Sequence, residues 1–106
     1  MPGHPYYFHL AYSIPITTIT KVIPGKKKFI VKWVKKTGAS QYQIRYSTKK
    51  NMLAARTVLA SSKSNSKSIK AKAKKKYYIQ VRVAKTIGGQ AYWSGWSSKS
   101  VVKTKK

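Results

Sequence analysis

The chain has 106 residues with 24 Lys and Arg and no Asp or Glu, a formal net charge of +24. If about one residue in eight is ordinarily acidic, an acid-free chain of this length arises by chance about once in a million draws. With no side-chain carboxylate and no cysteine, the sequence lacks the parts for carboxylate acid–base pairs, Ser-His-Asp triads, thiolate zinc sites and disulfides.

The length allows one compact domain, and a hydrophobic content of 42% is enough to give it a core. No apolar run approaches the roughly 20 residues of a membrane span. No enzymatic activity, catalytic residue, cofactor or specific small-molecule substrate is expected. Residues 1–18 differ from the rest, because they carry no Lys or Arg and crowd Tyr6, Tyr7, Phe8 and Tyr12 together. They read as a partly ordered aromatic leader, although a tag, a fusion scar or an extra edge strand has the same composition. They do not have the basic start and long apolar centre of a signal peptide. His4 and His9 are the only histidines, too few for a metal site, so no metal is expected.

From residue 19 to 106 the pattern is repeatedly that of β-strands, ending in a basic C-terminal tail. Residues 19–23 alternate and stop at Pro24-Gly25, a turn dipeptide. Phe29, Val31 and Trp33 alternate with Ile30, Lys32 and Val34, and Lys36, Thr37, Gly38 and Ala39 then punctuate the chain. Tyr42, Ile44 and Tyr46 alternate with Gln43 and Arg45. Met52, Leu53, Ala54 and Ala55 follow as a helical turn or an apolar plug. Residues 56–60 and 68–71 make short strands. Tyr77, Ile79, Val81 and Val83 give the clearest inward face, with Tyr78, Gln80, Arg82 and Ala84 outward. Gly88-Gly89 is a hairpin turn, and residues 100–103 make the last strand. Seven short strands at near-even spacing predict an all-β, seven-stranded antiparallel immunoglobulin-like sandwich. Its predicted core is Trp33, Tyr42, Ile44, Tyr77, Ile79 and Val81.

The stretches VKWVKKTGASQYQIRYSTKKN, RTV, KKKYYIQVRVAKTIGG and YWSGWSSKSVVK resemble fibronectin type III repeats of secreted and surface proteins of Gram-positive bacteria, over about residues 18–104. The resemblance implies that Trp33 is the core tryptophan of the second strand. It also implies that Tyr77 closes a corner by hydrogen bonding to upstream backbone. The family usually has a Leu and a Gly just before that tyrosine. This chain has Ala71, Lys72, Ala73, Lys74, Lys75 and Lys76, so a thinner core and a looser turn are expected there. The resemblance further implies a secreted or cell-surface location.

Trp93-Ser94-Gly95-Trp96-Ser97 is a Trp-Ser-x-Trp-Ser box, similar to that of cytokine-receptor sandwiches, and implies a cation–π ladder of Trp93 and Trp96 with Arg82 and Arg45. The densest basic cluster, Lys67, Lys70, Lys72, Lys74, Lys75 and Lys76, is the candidate contact surface for anionic polymers. Nucleic acid, teichoic acid and heparin-like sugars all qualify, because nonspecific attraction needs only charge. The sequence thus reads as a monomeric, non-enzymatic binding or spacer module. A designed or supercharged acid-free scaffold and a nucleic-acid-binding protein are the alternatives.

Two dozen cations without side-chain counter-charges repel one another across the folded domain. Salt shortens the Debye length from about 30 Å at 0.01 M to about 8 Å at physiological ionic strength. The melting temperature is therefore expected to rise between low salt and several hundred millimolar sodium chloride. A flat or falling profile in a thermal scan contradicts this.

Overall fold

The computed structural model describes residues 14–106, so the expectations for Tyr6, Tyr7, Phe8, Tyr12, His4 and His9 lie outside the described residues. The described chain forms eight strands: β1 (Ile19–Gly25), β2 (Lys28–Trp33), β3 (Gln41–Ser47), β4 (Arg56–Ser61), β5 (Ser66–Lys70), β6 (Lys76–Ile87), β7 (Gln90–Trp93) and β8 (Ser100–Lys103). One sheet has the order β1-β2-β5. The other has the order β4-β3-β6-β7, with β8 also pairing β6. All strand pairs are antiparallel. The two sheets pack face to face as an antiparallel β-sandwich.

The strand count of eight, against seven expected, has a simple cause. β8 pairs with the first part of β6, through Lys76↔Lys103 to Ile79↔Ser100. β7 pairs with the last part of the same strand, through Ala84↔Trp93 to Ile87↔Gln90. β7 and β8 are thus one strand position interrupted by residues 94–99. The β6–β7 hairpin turns at Gly88 and Gly89, whose φ values of 60° and 82° match the strand twist and are open to glycine without strain.

Alternation sets which side chains meet between the sheets. Phe29, Val31 and Trp33 of β2 and Ile69 of β5 face Tyr42 and Ile44 of β3 and Tyr77, Ile79, Val81 and Val83 of β6. Two aromatic groups lie in this core. Trp33 and Tyr42 sit 5.3 Å apart. Phe29, Tyr46 and Tyr77 form a second group with centroid separations of 5.4–6.0 Å. Each such pair contributes about 0.5–1.5 kcal/mol beyond its burial. The Tyr77 hydroxyl accepts a 3.0 Å hydrogen bond from the Lys72 N–H, which closes the corner before β6.

Three local expectations change. The first turn lies at Lys26 and Lys27, not at Pro24-Gly25, because Pro24 pairs with Phe29 and Gly25 with Lys28 inside the hairpin. Proline is tolerated here because β1 is an edge strand, whose outward-facing N–H positions make no ladder bond. Lys27 takes the left-handed turn position, at φ 55°. The 52–55 segment is no helical turn: Met52 and Ala54 have φ of 63° and 56°, Met52 is buried, and Leu53 is exposed. Ser47 holds this connection by donating to the Leu53 carbonyl and accepting from the Lys49 N–H.

The turn before Tyr77 is strapped rather than loose. Lys74 adopts the left-handed conformation, at φ 53°. Thr104 then binds both sides of the turn, its hydroxyl accepting from the Lys75 N–H and donating to the Lys72 carbonyl, and its N–H donating to the Lys75 carbonyl. Contacts with the sandwich also begin ahead of residue 19. Ile14 packs against the core, and the buried Thr17 donates its hydroxyl to the Val34 carbonyl.

Candidate functional site

Strand directions bring the β1–β2 turn, the β3–β4 connection, the β5–β6 loop and the residues after β8 to one end of the sandwich. Backbone hydrogen bonds fasten three of these segments together. The Ala71 N–H donates to the Lys27 carbonyl, and the Lys105 N–H donates to the Gly25 carbonyl. Each of these segments is rich in lysine. Exposed Lys26 and Lys27 therefore join exposed Lys72, Lys74, Lys75 and Lys76 at a single basic pole. Lys103, Lys105 and Lys106 extend it from the C-terminal side.

The sequence-predicted cluster is only partly reproduced. Lys70, Lys72, Lys74, Lys75 and Lys76 are exposed and lie at or next to the pole. Lys67 does not join them. It pairs with Val31 and shares the inward face of β5 with Ile69, while Lys70 pairs with Lys28 on the opposite end of the strand and the other face. Strand alternation thus separates two residues that are close in sequence. Conversely, Lys26, Lys27, Lys103, Lys105 and Lys106 were absent from the predicted cluster, because only the tertiary pairing brings them there. The outer face of the smaller sheet adds Lys21 opposite Lys32 and Lys28 opposite Lys70. Like charges directly across a ladder repel, so this face also carries unneutralised charge.

The outer face of the larger sheet has a different chemistry. The Arg82 guanidinium lies 4.3 Å from the Trp93 ring centroid and 4.6 Å from that of Trp96. Arg45 lies 4.3 Å from the Trp96 centroid. The four side chains therefore stack in the order Trp93, Arg82, Trp96, Arg45. Glutamines hold the guanidiniums in plane: Arg82 Nε donates to Gln43 Oε1 at 2.7 Å, and Arg45 donates through Nε and Nη2 to Gln80 Oε1 at 2.8 and 2.6 Å. Gln80 in turn donates to the Ser97 carbonyl. Burial, and after it the neighbouring Arg45, lowers the Arg82 pKa from its ordinary value.

The two serines of the box explain why the strand breaks without leaving β6 unpaired. Ser94 and Ser97 are buried. Their hydroxyls accept from the Val83 and Val81 N–H groups, each at 3.0 Å. Their own N–H groups donate to the Val83 and Val81 carbonyls. Each hydroxyl also donates to a neighbouring carbonyl, so neither buried hydroxyl lacks a partner. Side chains here replace ladder bonds, which turns the tryptophans outward onto the arginines.

No known protein family and no curated protein matches the sequence. Solved structures do match. The chain is similar to a β-1,2-glucanase from Parabacteroides distasonis at TM-score 0.73 and 15% identity, covering 90% of this chain but only 13% of the glucanase. It is similar to the fn3 domain of human contactin 1 at TM-score 0.70 and 22% identity, covering 88% of this chain and 79% of that one. The FN1–FN3 domains of chicken CNTN1 match at TM-score 0.67 and 24% identity, over 87% of this chain and 32% of theirs. At these identities the likeness defines the fold alone: a fibronectin type III-like sandwich.

The stack yields a measurable expectation. Arg82→Lys keeps the charge but loses the planar group between two indoles, each contact contributing about 0.5–1 kcal/mol. Urea unfolding is expected to show a destabilisation of about 1–2 kcal/mol. The same substitution in a Trp96→Ala background is expected to cost clearly less. Equal costs in both backgrounds contradict an energetic role for the stack.

Proposed function

We propose that the chain is a non-catalytic binding or spacer module that adheres to anionic polymers through its basic pole. The observation that carries this reading is the convergence of three hydrogen-bonded, lysine-bearing segments at one end of the fold. No side-chain carboxylate anywhere in the sequence neutralises them. A polymer laid across the pole releases counterions from many contacts at once, which needs no base-reading or sugar-reading motif. The non-catalytic reading is supported by the absence of side-chain carboxylates and thiols. The glucanase likeness covers too little of that enzyme to carry its activity over.

The residues that resemble Gram-positive surface repeats support a location outside the cell, where wall polymers and acidic polysaccharides supply the partner. The Trp-Ser-x-Trp-Ser box we read as a structural device of this sandwich and not as a receptor feature, since its side chains are engaged with β3 and β6.

The test is a salt titration of binding to heparin, duplex DNA and teichoic acid side by side. Contact with about six phosphates gives a log–log slope near −5 on duplex DNA. All three polymers are expected to dissociate over a similar salt range with steep slopes. A slope near zero contradicts the reading. Discrimination among DNA sequences at physiological salt replaces it with nucleic-acid recognition.

A further inference from the structure

A cleft of about 490 Å³ opens at the basic pole, between the end of β3, the β3–β4 connection and the β5–β6 loop. Tyr46 and Tyr77 line its inner part and belong to the aromatic group that includes Phe29. Five cations from separate segments surround it: Lys49 from the connection, Arg56 from the start of β4, Lys70 from the end of β5, and Lys72 and Lys75 from the strapped turn. Leu53, Ala54 and Ala71 supply apolar wall between them.

A long polyanion needs only an exposed charged surface. A concavity with an aromatic floor and a cationic rim favours a ligand with both an apolar ring face and fixed oxyanions. The rim provides one guanidinium fork for bidentate contact with a sulfate or phosphate, and four ammonium groups for others. The floor helps to separate ring types. Tyr46 and Tyr77 meet at an interplanar angle of 64°, with centroids 6.0 Å apart. Tyr77 is buried and Tyr46 half-buried, so the floor offers a flat nucleobase no pair of parallel ring faces. It suits a puckered pyranose, whose C–H patches and hydroxyls point in several directions. The site is also held in shape before binding. Its floor is core, Ser47 ties down the connection, and Thr104 fastens the turn that carries Lys72 and Lys75. Preorganisation of this kind lowers the entropic cost of binding.

We infer that this cleft is a binding site for a single sugar unit bearing sulfate or phosphate. The inference rests on the polyanion reading above and refines it. The polymer would be held by the whole pole and gripped by one of its units in the cleft.

The experiment compares two double variants of equal charge loss. Arg56→Gln with Lys72→Gln removes cations from the cleft, and Lys26→Gln with Lys103→Gln removes cations from the pole outside it. Amide chemical-shift titrations use a sulfated disaccharide, glucose 6-phosphate, neutral maltose, adenosine monophosphate and intact heparin as probes. At least one of the two anionic sugars is expected to shift amides of residues 46–56 and 70–77 saturably, while maltose does not. Which one binds more tightly tells sulfate from phosphate as the natural substituent. The cleft variant is expected to weaken that binding by at least about tenfold, as loss of charge-assisted hydrogen bonds implies, and the outer variant by less than about threefold. Equal losses in the two variants overturn the inference. So does tighter binding of adenosine monophosphate than of either anionic sugar, or an absence of saturable shifts while heparin still binds. If heparin itself fails to bind the unaltered chain at physiological salt, the broader polyanion reading falls, and saturable sugar binding would then stand or fail separately.

Discussion

A protein without a single side-chain anion must place every cation against water, a neutral acceptor or an aromatic face. That constraint shapes both surfaces of this sandwich. On the larger sheet, where two arginines are partly covered, glutamine oxygens stand where carboxylates often would: Gln43 beneath Arg82, and Gln80 beneath Arg45. Indole rings supply the remaining attraction. Amide and π acceptors carry no charge, so they cost less to desolvate than carboxylates but offset less of the burial of a guanidinium. The lowered Arg82 pKa has the same origin, burial first and its like-charged neighbour second.

Elsewhere the fold keeps its cations in solvent, and topology decides where they gather. Lysines that stand at the ends of strands and in turns converge when those strands stack in antiparallel register. Three alternate connections and the chain's last residues reach the same end, and backbone bonds at Gly25, Lys27 and Lys75 tie segments of it together. Lys21 on β1 and Lys67 and Lys70 on β5 also discourage strand addition from other chains at the two edges of the smaller sheet. The same charge that protects the edges makes the pole attractive to anionic polymers. One property thus serves solubility and binding together.

The core was the legible part of the sequence, because period-two burial is written locally. Trp33, Tyr42, Ile44, Tyr77, Ile79 and Val81 all lie buried between the sheets. The box residues were legible as a motif, though nothing local revealed that Ser94 and Ser97 replace ladder bonds to Val81 and Val83. The first turn was misplaced since Pro-Gly is a strong local signal and only the edge position of β1 allows it to be overridden. Lys67 was assigned to the wrong surface because proximity in sequence says nothing about alternation across a strand. Lys26, Lys27, Lys103 and Lys105 were missed because their juxtaposition with the 72–76 run depends on contacts between residues tens of positions apart. Residues 48–55, with Met52 buried and Ala54 left-handed, follow no periodic rule at all.

The claim that unpaired cations are gathered by topology at one end is tested most directly by mapping where a polyanion touches. Amide chemical shifts of the isotope-labelled chain, followed during titration with heparin, report this residue by residue. Perturbations are expected to concentrate in residues 25–28, 48–56, 70–76 and 103–106, with the loops at residues 34–40 and 62–65 nearly silent. Shifts spread evenly over the surface, or centred on Trp93 and Trp96, would contradict it.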